Sequence, residues 1–172
     1  DYMAPEHLFA QLVQVAGRAG RFSGEPTQIL IETRYPDDPV YQYIKTFDLA
    51  GFMEHLMLTR QEAGLPPFGY QALVHAEAKQ RQEVLAWLNH TKEYLQSIAD
   101  TQAGITIFDP VPKSIARLGG WERSQLLIES RQRGPLQALL SALDQYLRER
   151  SVGRISKISK VRWSIERDPL II

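Results

Sequence analysis

The sequence contains no cysteine among its 172 residues. Disulfide bonds and thiolate metal sites are therefore both excluded within this chain. The histidines are four in number and lie far apart without the paired spacing of metal ligands: His7, His55, His75 and His90. We therefore expect this chain to bind no metal ion, and we expect the histidines to be solvated or hydrogen-bonded.

Long apolar runs and an excess of charge of one sign are absent as well. No segment approaches the roughly 18 consecutive apolar residues that a membrane span needs, so we expect no membrane partner. Lys and Arg together number 20, as do Asp and Glu, and the chain therefore lacks the global basic field of many nucleic-acid-binding proteins. Any contact with nucleic acid has to come from a local patch.

The chain also lacks the Gly-x-x-x-x-Gly-Lys-Ser/Thr loop that cradles nucleotide phosphates. What it does contain, at residues 14–21, is the octad Gln-Val-Ala-Gly-Arg-Ala-Gly-Arg. Arg18 and Arg21 carry permanent charge on planar forks that suit terminal phosphates, and Gly17 and Gly20 allow tight turns and close approach to a ligand. The octad therefore indicates one half of a nucleotide site. The competing interpretation is a solvated basic turn.

The first third of the chain predicts three helices and one short strand. The helix over 5–15 is ended by the octad, and the β-branched run at 27–33 predicts a buried strand. Asp37 or Asp38 caps a helix over 39–46 that begins at Pro39, and another helix covers 49–62. Gly64 and the following prolines end that helix, and we place a domain boundary near residues 66–69.

The remainder of the chain predicts an α+β domain. Strands at 71–78, 105–109, 123–129 and 161–166 alternate with helices at 80–98 and 135–149. This β-α-β-β-α-β order is the split βαβ pattern of ferredoxin-like domains, in which two helices cover one face of a four-stranded antiparallel sheet. Trp87 and Trp163 lie on apolar faces and are expected in the core.

The octad, Gln14 to Arg21, resembles the last motif of superfamily 2 helicases. Four further stretches resemble one branch, the bacterial replication-restart helicases known as PriA or primosomal protein N′. The similarity extends over essentially the whole chain. The four stretches are Asp1-Tyr2-x-Ala4-x-Glu6 with Gln11-Leu12, Arg60 with Gly64-Leu65-Pro66-Pro67-Phe68-Gly69, Arg117-Leu118-x-Gly120-x-x-Arg123-x-Gln125-Leu126-Leu127, and Val161-Arg162-Trp163 with Asp168-Pro169.

The resemblance implies the C-terminal end of an ATP-dependent 3′-to-5′ DNA helicase that recognises stalled forks and starts primosome assembly in the bacterial cytoplasm, at the nucleoid. Residues 1–35 would be the tail of the second, RecA-like lobe, 36–68 a helical connector, and 69–172 a ribosomal-protein-like domain for DNA binding or docking. The parent enzyme would hold ATP with Mg and, outside this fragment, zinc. Arg18 and Arg21 would be catalytic, and Gln14, Gly17 and Gly20 would join them in binding nucleotide. The fragment alone is expected not to be catalytic.

A second candidate site surrounds Gly119-Gly120. Lys113, Arg117 and Arg123 flank this loop with Trp121 between them, a combination that suits phosphate contacts and base stacking. Forked and single-stranded DNA are the expected partners. The competing interpretation is that Trp121 packs against a neighbouring domain and that the arginines pair with acids. A basic run forms a further DNA-binding candidate or merely a solvated face, and it comprises Arg148, Arg150, Arg154, Lys157, Lys160 and Arg162.

A third candidate site binds protein. The resemblance implies that the single-stranded DNA-binding protein and other primosome proteins are partners, and Arg133 with Gln137, one helical turn apart, would hold the carboxylate of an acidic tail. The alternative for the whole chain is a non-catalytic nucleic-acid-binding or protein-docking module of βαββαβ fold. An RNA-recognition domain has the same order but needs aromatics on its central strands, where only Phe108 lies near.

Overall fold

The computed structural model describes residues 3–19, 28–99, 104–152 and 161–169. Gly20, Arg21, Arg154 and Lys157 lie outside these described residues. The chain divides into two compact units, one ending at Ala63 and the other spanning Gly64–Pro169. The three functional domains assigned from the sequence remain a prediction.

The first unit contains three helices: α1 (Ala4–Ala19), α2 (Pro39–Thr46) and α3 (Leu49–Ala63). Apolar residues at helical spacing on each helix meet in one core, where the rings of Phe9 and Phe52 stack 4.5 Å apart. The buried members of this core are Phe9, Val40, Ile44, Phe52 and Leu56. Asp38 is the N-cap of α2, because its side chain accepts a hydrogen bond from Val40 N–H and Pro39 follows it.

Two sequence predictions in this unit are wrong. Helix α1 continues through Gly17 and Arg18 to Ala19, since a single glycine costs a helix only about 1 kcal/mol and packing outweighs it. Residues 28–33 form no strand, and the side chain of Leu30 is 94% exposed. A strand needs neighbouring strands for its backbone hydrogen bonds, and no described strand of this chain pairs with residues 28–33.

An ion pair ties α1 to α3. Arg60 Nη2 lies 2.5 Å from Glu6 Oε2, and the two side chains are only 10% and 16% exposed. Both residues belong to the stretches that carry the family resemblance. Their pairing joins two of these stretches within the first unit.

Replacing Glu6 with alanine is expected to lower the free energy of unfolding of the first unit by about 3 kcal/mol, because the nearly buried guanidinium would lose its carboxylate. Urea unfolding followed by circular dichroism measures this, with Glu62→Ala, an exposed acid on α3, as the matched control. Equal stability of the two variants would contradict the prediction.

The second unit is a five-stranded antiparallel sheet with two helices, which confirms the predicted α+β class. Its elements in chain order are β1 (Tyr70–Ala78), α4 (Arg81–Ile98), β2 (Ile105–Ile107), β3 (Val111–Leu118), β4 (Trp121–Ser130), α5 (Arg133–Val152) and β5 (Arg162–Arg167). The sheet order is β2-β4-β1-β5, and β3 also pairs with β4. One edge of β4 therefore serves two partners, with β2 along its C-terminal part and β3 along its N-terminal part.

Both helices cover the same face of this sheet. Even-numbered residues of β1 and β4 pack against apolar residues of α4 and α5, and the core includes Ala72, Val74, Ala76, Leu88, Leu95, Leu126, Ile128, Leu140 and Leu143. Trp87 and Trp163 pack against this core with their rings 6.4 Å apart, as predicted. The opposite side, here called the outer face, carries the odd-numbered residues of β1 and β4.

The prediction of four strands missed β3. The predicted strand at 105–109 ends at Ile107, and pairing with β4 resumes at Val111 after a short break. Alternating apolar positions do not reveal this strand, because it contains Pro112 and most of its residues are exposed. Proline is tolerated in β3 because this strand lies at an edge of the sheet. A residue there whose N–H side faces solvent does not have to donate a hydrogen bond to another strand.

Candidate functional site

The octad begins on the exposed side of α1. Gln14 and Arg18 are four residues apart, so both lie on one face of the helix, and both side chains are exposed. Gly17 is also exposed, and a Cβ added there would meet no atom within 4 Å. The structure thus brings Gln14 and Arg18 together at the end of α1, whereas Gly20 and Arg21 fall outside the described residues.

A tight hairpin builds the second site. Gly119 and Gly120 join β3 to β4 with φ values of 58° and 76°, the left-handed conformation that a two-residue type I′ turn requires. This turn places Arg117 opposite Glu122, and Arg117 Nε lies 3.4 Å from Glu122 Oε1. Because Arg117 is 72% exposed, this pair contributes little to stability and leaves the guanidinium accessible.

Trp121, the first residue of β4, lies on the outer face of the sheet and is half-buried. Lys79 Nζ lies 4.0 Å from the centroid of its ring, and Arg162 Cζ lies 3.9 Å from it. Cations at this distance from an indole ring are attracted by its negative face, by about 0.5–1 kcal/mol each at exposed sites. An aromatic ring with two cations beside it is an arrangement that suits nucleotide binding.

Next to Trp121, a row of alternating charges crosses three strands. Glu77 on β1 lies between Arg123 on β4, at 4.0 Å, and Arg162 on β5, at 3.5 Å. Arg123 and Arg117 thus do pair with acids, as the competing interpretation expected. One carboxylate serves two guanidinium groups here, so the row keeps an excess of positive charge.

Lys113 and Arg123 line a pocket on this face with a volume of about 220 Å³. The other lining residues are His75, Ala76, Glu77, Arg162, Trp163 and Ser164. Burial lowers the pKa of the Lys113 amine below its ordinary value, and the nearby Arg123 lowers it further, while Glu166 and Glu77 act in the opposite direction. The structure therefore brings Lys113, Arg123 and, beside them, Trp121 to one surface.

Lys79, Glu77 and His75 were missed as site residues, and Arg162 was expected only as part of the basic run. The signal for Glu77, His75 and Arg162 is the alternation of β1 and β5, since each lies at a polar position beside apolar residues that face the helices, and Lys79 follows directly after β1. Arg162 stands in the predicted basic run, but its place in a strand sends it to the outer face. Arg154 and Lys157 of that run lie outside the described residues.

Arg133 and Gln137 are the first and fifth residues of α5, and both are exposed. Gly134 and Pro135 lie within the first turn of that helix, where proline is tolerated because the first N–H groups have no partner within the helix. The helical spacing predicted for Arg133 and Gln137 is therefore present.

Within the described ranges, no group of three or more His, Asp or Glu side chains is close enough to hold a metal ion. Of the helices formed by those same residues, none has the length and apolar character to cross a membrane.

Comparison with known proteins gives consistent matches. Residues 61–170 match the family model described as primosomal protein N C-terminal domain. Proteins named replication restart protein PriA are similar: the one from Haemophilus influenzae is 31% identical over 169 residues, 98% of this chain and 22% of the relative. Those from Bacillus subtilis and Synechocystis are each 33% identical, over 87% and 75% of this chain and over 18% and 15% of the relatives. The chain thus spans about a fifth of the length of these relatives.

Proposed function

Because the chain belongs to the family of primosomal protein N C-terminal domains, we propose that it is the C-terminal part of an ATP-dependent DNA helicase that restarts replication. Its relatives carry the name replication restart protein. In this proposal the octad supplies arginines to an ATP site completed by the rest of the enzyme, and the sheet domain contacts DNA at stalled forks in the bacterial cytoplasm.

The proposed ATP site needs two lobes. Arg18 and Arg21 would reach the γ-phosphate when the lobes close, and Gln14 would couple nucleotide state to that closure. Mg bound with ATP would come from the other lobe, and zinc would be held elsewhere in the parent enzyme. The exposure of Gln14 and Arg18 on one face of α1 supports this proposal, since a residue that acts across a cleft has to face away from its own core.

The second unit is the proposed DNA-binding domain. The β2-β4-β1-β5 order with both helices on one side supports a ferredoxin-like arrangement, with β3 as an added edge strand. The observation that carries the DNA-binding role is the ring of Trp121 with Lys79 and Arg162 beside it. A base would stack on the ring in place of one of the two cations, and the cations would contact the adjoining phosphates.

Salt-dependent DNA binding by the 172-residue chain tests this role. We expect labelled single-stranded and forked DNA to bind in fluorescence anisotropy, with an affinity that falls linearly on a logarithmic scale as salt rises from about 50 to 200 mM. Trp121→Ala is expected to weaken single-strand binding about tenfold, since stacking contributes ~1–3 kcal/mol per base.

The matched control is Tyr35→Ala, which removes an aromatic side chain that is 74% exposed in the other unit. The control variant should bind like the wild-type chain. Affinity that is independent of salt and of Trp121 would reject the DNA-binding role and would favour a docking module instead.

A second candidate function is protein docking at the start of α5. Arg133 and Gln137 are both exposed there, and a guanidinium with an amide one turn away suits the carboxylate of an acidic tail. The single-stranded DNA-binding protein is the proposed partner. Loss of its binding in Arg133→Ala, with DNA binding unchanged, would separate this surface from the Trp121 surface.

A further inference from the structure

We infer that the pocket beside Trp121 is a binding site for one phosphate group. It lies on the outer face of the sheet and is lined by Lys113, Arg123 and Arg162, which come from three different strands. This inference rests on the proposed DNA-binding function, because it names the chemical group that this face would bind.

The charges of the lining favour an anion. Three cations and a single carboxylate, Glu77, line the pocket. Glu77 is already shared between Arg123 and Arg162 at 4.0 and 3.5 Å, distances at which neither pair is a close hydrogen bond. Glu166, which lies beyond the lining, is engaged by His75 at 2.7 Å. The pocket therefore holds more positive charge than its acids neutralise.

The surroundings of Lys113 compensate its charge incompletely. Lys113 is partly withdrawn from water, and Arg123 beside it makes its charge more costly, as the lowered pKa of Lys113 reflects. A bound phosphate would neutralise the lysine and accept hydrogen bonds from its amine and from the two guanidinium groups of the lining.

The pocket and the aromatic ring share a residue. Arg162 lines the pocket and also lies over the ring of Trp121. A nucleotide whose base contacts Trp121 would therefore carry its phosphate toward the pocket. The phosphate can be an internal diester of a DNA strand or the monoester at a strand end, and both offer the same oxygen acceptors.

Inorganic phosphate is the first probe. In NMR titrations of the 172-residue chain, the Nε–Hε signals of Arg123 and Arg162 should shift saturably with phosphate and not with chloride at equal ionic strength. Lys113→Gln should weaken phosphate binding about tenfold, as expected for the loss of one hydrogen bond to a charged group. Lys45→Gln is the matched control, since Lys45 lies in α2 and does not line the pocket. Equal shifts with both anions, or no effect of Lys113→Gln, would overturn the inference.

Single-stranded DNA with and without a 5′-phosphate is the second probe. A gain in affinity from the 5′-phosphate that Lys113→Gln abolishes assigns the pocket to strand ends. A salt dependence reduced by about one phosphate contact in Lys113→Gln, without such a gain, assigns it to the internal backbone. DNA binding unaffected by Lys113→Gln would overturn the inference and leave the DNA-binding role standing. Saturable phosphate binding without any DNA binding would reject that role and keep the pocket.

A second variant guards against misfolding. Arg123→Lys keeps the charge but removes the planar fork, so it should weaken phosphate binding while the tryptophan fluorescence of the folded unit stays unchanged. Wild-type phosphate affinity in both Arg123→Lys and Lys113→Gln would refute the site.

Discussion

Replacing Arg21 with alanine in the complete helicase that we propose is expected to lower DNA-stimulated ATP hydrolysis by about 10³-fold or more. An arginine that reaches the γ-phosphate across a cleft stabilises charge that develops only in the transition state. DNA binding should stay at the wild-type level, because Arg21 is proposed to contact ATP and not DNA. A steady-state ATPase assay with saturating DNA, combined with anisotropy on the same variant, measures both.

The controls separate charge from geometry. Arg34→Ala removes an exposed arginine outside the octad and should leave hydrolysis unchanged. Arg21→Lys keeps the charge without the bidentate fork and should recover only a small part of the rate. Wild-type turnover by Arg21→Ala would reject the catalytic assignment of the octad.

Replacing Gly69 with alanine is expected to destabilise the second unit by about 4 kcal/mol or more, which is large for one substitution. A Cβ at this position would lie 2.0 Å from the carbonyl oxygen of Gly64, a backbone atom that no side-chain rotation can move. Gly64 has a φ of 64°, and the N–H groups of Phe68 and Gly69 both donate to the carbonyl of Leu65. The turn would have to open for the methyl group to fit.

Tryptophan fluorescence during urea unfolding measures this effect, since all three tryptophans, Trp87, Trp121 and Trp163, lie in the second unit. Gly134→Ala is the matched control. It adds the same methyl group to α5, where no atom lies within 4 Å, and should be neutral or stabilising by up to about 1 kcal/mol. Equal midpoints for the two variants would contradict the argument from close approach.

The sequence alone predicted the elements that bury an apolar pattern of regular period. Leu136, Leu139, Leu140 and Leu143 recur at helical spacing, and α5 indeed buries them. The four predicted strands of the second unit, its two helices and the α+β class follow from the same rule. The order of the motifs along the chain was equally informative about the family, because the residue types of a motif can be recognised without knowing which strand or helix packs beside it.

Strand β3 and the absence of a strand at residues 28–33 could not be predicted from an apolar pattern. Residues 28–33 have the composition of a strand yet form none, while Val111–Leu118 pair with β4 although they contain proline and are largely exposed. Strand formation depends on a neighbour with free hydrogen-bonding groups, and a local apolar pattern does not report whether that neighbour is present.

The candidate site also combines features that the sequence determined with features that only the tertiary structure decided. The sequence determined the residue types of the octad and of the Gly119-Gly120 hairpin, and with them the family resemblance. Only the tertiary structure placed Lys79 and Arg162 against Trp121, and Lys113 beside Arg123, because strand pairing brings these separate parts of the sequence together. Their meeting depends on the register between strands, which long-range pairing sets and which no local sequence pattern encodes.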